Sequence, residues 1–188
     1  MGRARRGRRG LSGMSRRTVL TAIGEDRPGL VEQVAEFVFT RGGSIEDSRM
    51  ANLHGQFAIA MSIAGTEEAI DRITKDLDAL SRHTAIDARL TPVPAAGAAT
   101  ASRLPYRLTG RALDQAGLVH QIANVLRSLD VNIENMETTL EAAPVTGAPV
   151  FAMDLTIAVP HDTPVQKLRG ELARACDPLN VDWHLAPL

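Results

Sequence analysis

The sequence predicts an α+β fold in which a β-α-β-β-α-β unit occurs twice, each with an antiparallel sheet and its helices on one face. Three observations lead to this prediction. A block of the first half recurs in the second half, and each copy alternates between strand-type and helix-type periodicity in the same order. A small, uncharged, proline-bearing stretch separates the copies. The 188 residues, 44% hydrophobic and 23% charged, have room for one or two domains.

The repeat is clearest at Gly29 to Ala35, where GLVEQVA matches GLVHQIA from Gly117 to Ala123 at an offset of 88 residues. At the same offset, Ser44 to Asp47 corresponds to Asn132 to Asn135. The offset grows to 95 after extra residues in the second copy, at Ala142 to Gly147. These residues are rich in turn formers, so we expect the insertion to lie in a loop.

The spacing of the apolar residues predicts a first strand followed by a first helix. Thr18 to Ile23 is a short run with β-branched residues that ends at a glycine, which is typical of a strand. A helix follows, because Pro28 stands where a helix can begin and the pair Gly42-Gly43 stands where it must end. The residues at helical spacing are Leu30, Val34, Phe37, Val38 and Arg41.

Two more strands and a second helix come next. Ile45 to Arg49 and Phe57 to Ile63 read as strands, and His54-Gly55 between them predicts a hairpin turn. Thr66 can cap the following helix, and a last strand is predicted near Ala85 to Leu90. The apolar residues on one face of that second helix are Ala69, Ile70, Ile73, Leu77 and Leu80.

The order β-α-β-β-α-β is the ferredoxin-like pattern, and it occurs twice. Each unit buries one sheet face under two helices and leaves the other face and the sheet edges open for pairing. We predict a disordered basic tail over residues 1–17, a first domain over 18–93, a linker over 94–102 and a second domain over 103–188.

The charge is distributed unevenly along the chain. Seven of the 21 basic residues are arginines within the first 17 residues, so the remainder carries 14 basic and 22 acidic residues. A body with a net charge of −8 is a poor candidate for contacting phosphate backbones, and we predict no direct nucleic-acid binding by it. The tail is either a nucleic-acid-contacting arm or a translation artefact upstream of Met14, and we favour the artefact.

Residue types that carry enzymatic chemistry lack the spacing that this chemistry needs. The five histidines form no metal-binding motif, and the chain has no nucleophile elbow, Walker A motif or dinucleotide fingerprint. The single cysteine, Cys176, follows apolar helix positions, which predicts a small buried hydrophobe in a reducing compartment. We therefore predict no enzymatic activity, no catalytic residue, no metal and no cofactor.

The sequence predicts no membrane span, because no stretch approaches about 20 apolar residues. Ser15 to Leu20 is similar to a twin-arginine export signal. Glu25 and Asp26 interrupt the apolar region after only the six residues from Val19 to Gly24, which is too short for such a signal. We expect a cytoplasmic protein.

The loop between the first strand and the first helix, Gly24 to Val31, reads GEDRPGLV and resembles that of the ACT domain, a small regulatory fold that typically binds amino acids. Two such units in register, with no catalytic domain attached, resemble the glycine cleavage system transcriptional repressor family. The resemblance implies a ligand pocket at this loop, often between paired units. It also implies a regulator that responds to glycine or a similar small amino acid and contacts a regulatory protein or an enzyme. Because so small a fold buries little surface alone, we also expect a homo-oligomer.

Carried onto this sequence, the resemblance implies two sets of ligand-binding residues. A helix N-terminus offers unpaired N–H groups to a carboxylate, an aspartate can accept from an ammonium group, and glycine lets a ligand approach the backbone. The first set is Asp26, Gly29, Leu30 and Ser44, and the second set is Asp114, Gly117, Leu118 and Asn132.

The second copy departs from the motif at Gln115-Ala116, which replace Arg27-Pro28. The second pocket is therefore expected to be weaker, differently selective or vestigial. Both Asp26 and Asp114 have an alternative role as helix N-caps, which is the more frequent role for an aspartate ahead of a helix. Asp154 stands where Ala60 stands in the first copy, and an acid inside a strand should face solvent or a partner.

Three functions fit these observations. The leading one is an amino-acid-responsive regulator in which the ligand changes contact with a partner protein. The alternatives are an allosteric regulatory subunit of an amino-acid metabolic enzyme and a dimerisation module without a ligand.

Overall fold

The computed structural model describes residues 16–94, 102–144 and 146–188. The chain divides into two compact units, Met1–Ala98 and Ala99–Leu188. Most of the predicted basic tail and of the predicted linker lies outside the described residues.

The first unit is a four-stranded antiparallel sheet with two helices. Its elements are β1 (Arg16–Glu25), α1 (Leu30–Thr40), β2 (Ser44–Leu53), β3 (Gln56–Gly65), α2 (Glu67–Thr84) and β4 (Asp87–Pro92). The strands lie in the order β2-β3-β1-β4, so the two middle strands are β3 and β1.

The second unit repeats this arrangement. Its elements are β5 (Arg103–Leu113), α3 (Leu118–Ser128), β6 (Asn132–Ala142), β7 (Pro149–Pro160), α4 (Val165–Cys176) and β8 (Asp182–Pro187). Its strands lie in the order β6-β7-β5-β8, again antiparallel, and a 3-10 turn, Asp177–Leu179, precedes the last strand. The predicted α+β fold of two tandem ferredoxin-like units is confirmed.

Three local features predicted from the sequence, a helix cap, a hairpin turn and a loop insertion, are present in the structure. The Thr66 hydroxyl accepts a hydrogen bond from the Ala69 N–H at 3.3 Å and caps α2. His54 and Gly55 form the two-residue β2–β3 turn with φ values of 53° and 82°, as a tight hairpin requires. The extra residues of the second copy lie in the β6–β7 connection.

The first strand begins earlier than predicted. Arg16 and Arg17, assigned to the tail by their charge, are the first two residues of β1 and pair with β3. The Arg17 Nε donates to Glu46 Oε2 at 2.7 Å, and Arg16 Nη1 lies 3.3 Å from Asp71 Oδ1. Charge patterning alone misassigned these two arginines, because their acidic partners are distant in sequence.

Each unit has a hydrophobic core drawn from its own residues. Leu20 and Leu108, at equivalent positions of β1 and β5, are fully buried in the two cores. Cys176 is 1% exposed in the second core, which confirms the predicted buried thiol, and burial raises its pKa to about 11. Within the ranges described above, no helix has both the length and the apolar character needed to cross a membrane.

Candidate functional site

A surface groove of about 580 Å³ lies at the start of α1. The β1–α1 loop and the first turn of the helix form one side, from Asp26 to Glu32. Met50 on β2 and Phe57 on β3 contribute apolar surface to the same groove. The groove therefore combines charged residues of the loop and the first helical turn with apolar surface.

The helix at this groove begins without a side-chain cap. Gly29 is the N-cap residue in a left-handed conformation, with φ 93° and ψ −7°. The first helical hydrogen bond runs from the Gln33 N–H to the Gly29 carbonyl at 2.9 Å. The N–H groups of the three residues before Gln33 have no acceptor inside the helix, so this end carries donors and partial positive charge.

Asp26 is held by the β2–β3 hairpin and does not cap the helix. It lies three residues before the N-cap Gly29, and its backbone N–H donates to the Gly55 carbonyl at 2.9 Å. Its Oδ2 accepts from Asn52 Nδ2 at 2.5 Å, and Asn52 Oδ1 in turn accepts from the Gly55 N–H at 3.0 Å. The alternative role as an N-cap is therefore wrong for Asp26.

Two residues of this site were missed by sequence reasoning. Asn52 holds the Asp26 carboxylate, and Arg27 Nη2 donates to Gln33 Oε1 at 3.1 Å and to the Thr84 carbonyl at 3.3 Å. An amide two residues before a predicted hairpin turn could have drawn attention to Asn52. The contact of Arg27 with the end of α2 spans 57 residues and has no local signal.

The structure brings together only part of the first predicted set. Asp26 and Gly29 line the groove, whereas Leu30 is 1% exposed and packs into the core, so it offers its backbone rather than its side chain. Ser44 begins β2 opposite Ala64, at the end of the strand far from the hairpin. Nine residues of strand span about 30 Å, so Ser44 is distant from Asp26 within this unit.

The second unit has the same backbone at the loop but different side-chain contacts. Gly117 has φ 94°, and α3 also starts without a side-chain cap. The Asp114 N–H donates to the Pro149 carbonyl at 3.0 Å, and Leu140 stands where the first unit has Asn52. Gln115 Nε2 donates to the Leu179 carbonyl at 2.9 Å, so it ties the loop to the segment before the last strand as Arg27 does, without a charge.

Leu118 and Asn132, the other members of the second predicted set, do not line one common groove. Leu118 is 3% exposed and belongs to the core. Asn132 begins β6 and lines a different groove, of about 840 Å³, with Arg103 and Asp130 near the end of α3. Among the described residues, no group of three or more His, Cys, Asp or Glu side chains is placed to hold a metal ion.

The Asp154 carboxylate pairs with an arginine of its own unit, on the sheet face that carries no helix. Arg107 Nε donates to Asp154 Oδ1 at 2.9 Å, and Arg107 Nη2 contacts the other carboxylate oxygen. Hydrogen bonding and the positive charge of Arg107 lower the pKa of Asp154. The predicted exposure toward solvent or a partner holds, because the face carries no helix.

Comparison with known proteins points to one family. Residues 16–91, which cover the first unit, match the model of the ACT domain. The chain is 42% identical over 59 residues to the glycine cleavage system transcriptional repressor of Escherichia coli (strain K12), and equally to that of Shigella flexneri. The match covers 31% of this chain and 31% of each relative, so it spans about a third of the curated relatives' length.

Two solved structures share the fold over nearly the whole chain. An unknown protein from Galdieria sulphuraria has a TM-score of 0.79 at 24% identity, with 93% of this chain and 99% of that chain covered. A proposed glycine cleavage system transcriptional repressor has a TM-score of 0.70 at 20% identity, with 94% and 99% covered. At these identities the likeness shows the tandem fold alone.

Proposed function

We propose that this chain, a protein of two ACT-like units that resembles the glycine cleavage system transcriptional repressor, is a non-enzymatic regulator that binds a small amino acid at the start of α1. One observation carries the proposal. An uncapped helix N-terminus and the Asp26 carboxylate line the same groove of about 580 Å³. These are the two groups that an α-amino acid needs, one for its carboxylate and one for its ammonium group.

The ligand carboxylate accepts from the N–H groups of the first turn of α1, where Gly29 leaves the backbone accessible. The ligand ammonium group donates to Asp26. Met50, which is 54% exposed, also lines the groove, so a ligand side chain, where present, meets apolar surface. Glycine, which has no side chain, fits the polar side alone, and it is the ligand that the resemblance implies.

Ligand binding is coupled to the β2–β3 hairpin through Asp26. An ammonium group bound to Asp26 shares this carboxylate with Asn52, whose Nδ2 donates to Oδ2 at 2.5 Å and links the aspartate to the hairpin. Strand β2 lies at the edge of the sheet and is exposed along its whole length. A change at the hairpin therefore reaches a surface that can pair with another protein.

Regulation through protein contact fits the charge of the chain better than direct DNA contact. From Arg16, where the first strand begins, the chain carries 16 basic and 22 acidic residues, and this net negative charge repels phosphate. The partner in this proposal is a regulatory protein or an enzyme of amino-acid metabolism, and the site of action is the cytoplasm.

A thermal-shift screen of the full chain with the common amino acids tests the proposal. A ligand at 100 times its dissociation constant adds about 2.7 kcal/mol of stability, and we expect a small amino acid to do so. Asp26→Asn keeps an acceptor for Asn52 but removes the charge, so it should abolish most of the ligand shift while leaving the ligand-free transition unchanged. Asp114→Asn in the second unit is the matched control and should retain the shift.

Two outcomes would contradict this function. If no amino acid stabilises the parent chain, the dimerisation module without a ligand becomes the better description. If Asp26→Asn keeps the full ligand shift, the aspartate has only a structural role at the hairpin. Gly29 is a poorer target for the test, because its φ of 93° strains any replacement side chain and would alter folding as well as binding.

A further inference from the structure

The sheet of the first unit has a face that carries no helix, and its centre is made of small and apolar residues. We call this surface the open face. Ile23 and Leu53 on it are 52% and 61% exposed. Cross-strand pairing defines two central rows, Arg49-Ala60-Thr21-Arg89 and Ala51-Ala58-Ile23-Asp87, with Val19 and Leu53 beyond them.

The equivalent face of the second unit carries ion pairs at its centre. Arg107 and Asp154 stand where the first unit has Val19 and Ala60, and they form an ion pair. Arg111 and Glu141 stand where it has Ile23 and Leu53, and they form a second ion pair, with Arg111 Nη2 donating to Glu141 Oε2 at 2.6 Å. The same fold therefore forms with ion pairs at the centre of this face, so the small and apolar centre of the first unit's face is not a requirement of folding.

We propose that the open face of the first unit packs against the same face of a second copy of this chain, forming a two-fold dimer. The two-fold axis lies between the sheets, perpendicular to the strands, and passes between the Thr21 row and the Ile23 row. Each residue of one row then faces the residue of the other row that lies two positions along the same strand in the second copy. Ala60 faces Ala58, and Thr21 faces Ile23.

Charge complementarity favours a second copy as the occupant of this face. The same axis places Arg89 over Asp87 of the second copy, and the reciprocal contact follows by symmetry. Arg89 Nη2 already lies 3.1 Å from Asp87 Oδ2 in its own chain, so the four charges alternate in sign around the axis. Arg49 faces Ala51, and no like charges of the two central rows are opposed.

The size of the face sets the expected strength of the dimer. Four strands spaced about 4.8 Å apart and about seven residues long present on the order of 400 Å² of flat surface. This is about half of the roughly 800 Å² per partner that is typical of stable complexes. We therefore expect a weak, concentration-dependent dimer that forms without any amino-acid ligand, independently of the function proposed above.

Sedimentation velocity of the full chain over a range of concentrations, without ligand, tests the dimer. The double variant Val19→Arg/Ala60→Asp copies the ion pair that the second unit already accommodates, so it should fold while its dimer dissociation constant rises at least tenfold. The matched control, Arg107→Val/Asp154→Ala, makes the reverse exchange in the second unit and should leave dimerisation through the first unit intact. Thermal unfolding verifies that both variants are folded.

A charge exchange on β4 tests the orientation of the two copies. Arg89→Asp alone places like charges opposite each other and should weaken the dimer, and Asp87→Arg added to it should restore the dimer. A parent chain that stays monomeric at every concentration overturns the proposal. So does a dimer that is unaffected by Val19→Arg/Ala60→Asp, or one that the charge exchange fails to restore.

Discussion

The two units have the same backbone elements but fill equivalent positions of their cores differently. In the first unit, Gly24 lies beside Ile86, and a Cβ added at Gly24 would be 2.9 Å from Ile86 Cγ2. In the second unit, the corresponding residues are Ala112 and Val181, so the strand has gained a methyl group and its neighbour has lost one. The fold is preserved because the volume of the pair is preserved.

A second pair, across two central strands, differs in side-chain shape rather than in volume exchange. Ala22 pairs with Ile59 on the core side of the first sheet, and Gly110 pairs with Met153 at the equivalent place in the second. A Cβ at Gly110 would overlap the Met153 Cε. Isoleucine and methionine have similar volumes, so Gly110 makes room for the longer reach of the unbranched Met153 side chain. The comparison teaches that equivalent positions of the two units have to be read together with the side chains they face.

The largest expected effect follows from breaking the first of these pairs. Gly24→Ala places a methyl group against the β-branched Ile86 and the Ala85 carbonyl, neither of which can rotate away, and should cost about 1 to 2 kcal/mol of unfolding free energy. Adding Ile86→Val, the residue type found at Val181, should recover only part of this loss, because valine keeps the Cγ2 atom that the new methyl group meets. Urea unfolding of both variants measures it, and equal stability of the parent and Gly24→Ala would refute the volume argument.

A smaller effect is expected at the second pair, because methionine is flexible. Gly110→Ala forces the end of the Met153 side chain to move, and we expect a loss of about 1 kcal/mol or less, since alanine is otherwise favoured over glycine in a strand. Adding Met153→Ile, the residue type found at Ile59, should make Gly110→Ala neutral or stabilising. Hydrogen exchange in β5 and β7 reports the change, and a loss that persists in the double variant would contradict the pairing.

The smallest effect concerns the ion pair that distinguishes the two open faces. Arg107 lowers the pKa of Asp154 below its ordinary value of 3.8, so the pair stabilises the folded state above that pH and ceases to do so as the pH falls through the lower folded-state value. Replacing the pair by Arg107→Val/Asp154→Ala should therefore slightly reduce stability at neutral pH and have no effect at strongly acidic pH. Thermal unfolding at the two pH values measures this, and a loss of equal size at both would exclude the ionised carboxylate as its source.

Much of the fold and part of the site could be predicted from the sequence. The periods of two and 3.6 residues, the Thr66 cap and the His54-Gly55 turn depend on neighbouring residues, so local sequence determines them. The repeat then fixed the number of units, because each copy carries the same order of elements. The position of the glycines at the start of α1 and α3 followed from the same motif.

Tertiary structure alone decided which side chains meet. It brings Asn52 within hydrogen-bonding distance of Asp26, 26 residues away, and it places Ser44 at the end of β2 that is far from Asn52. It also places Arg17, which the charge pattern assigned to the tail, in an ion pair with Glu46. These outcomes depend on strand register and on distances between segments remote in sequence, and a repeat or a charge pattern along the chain contains neither.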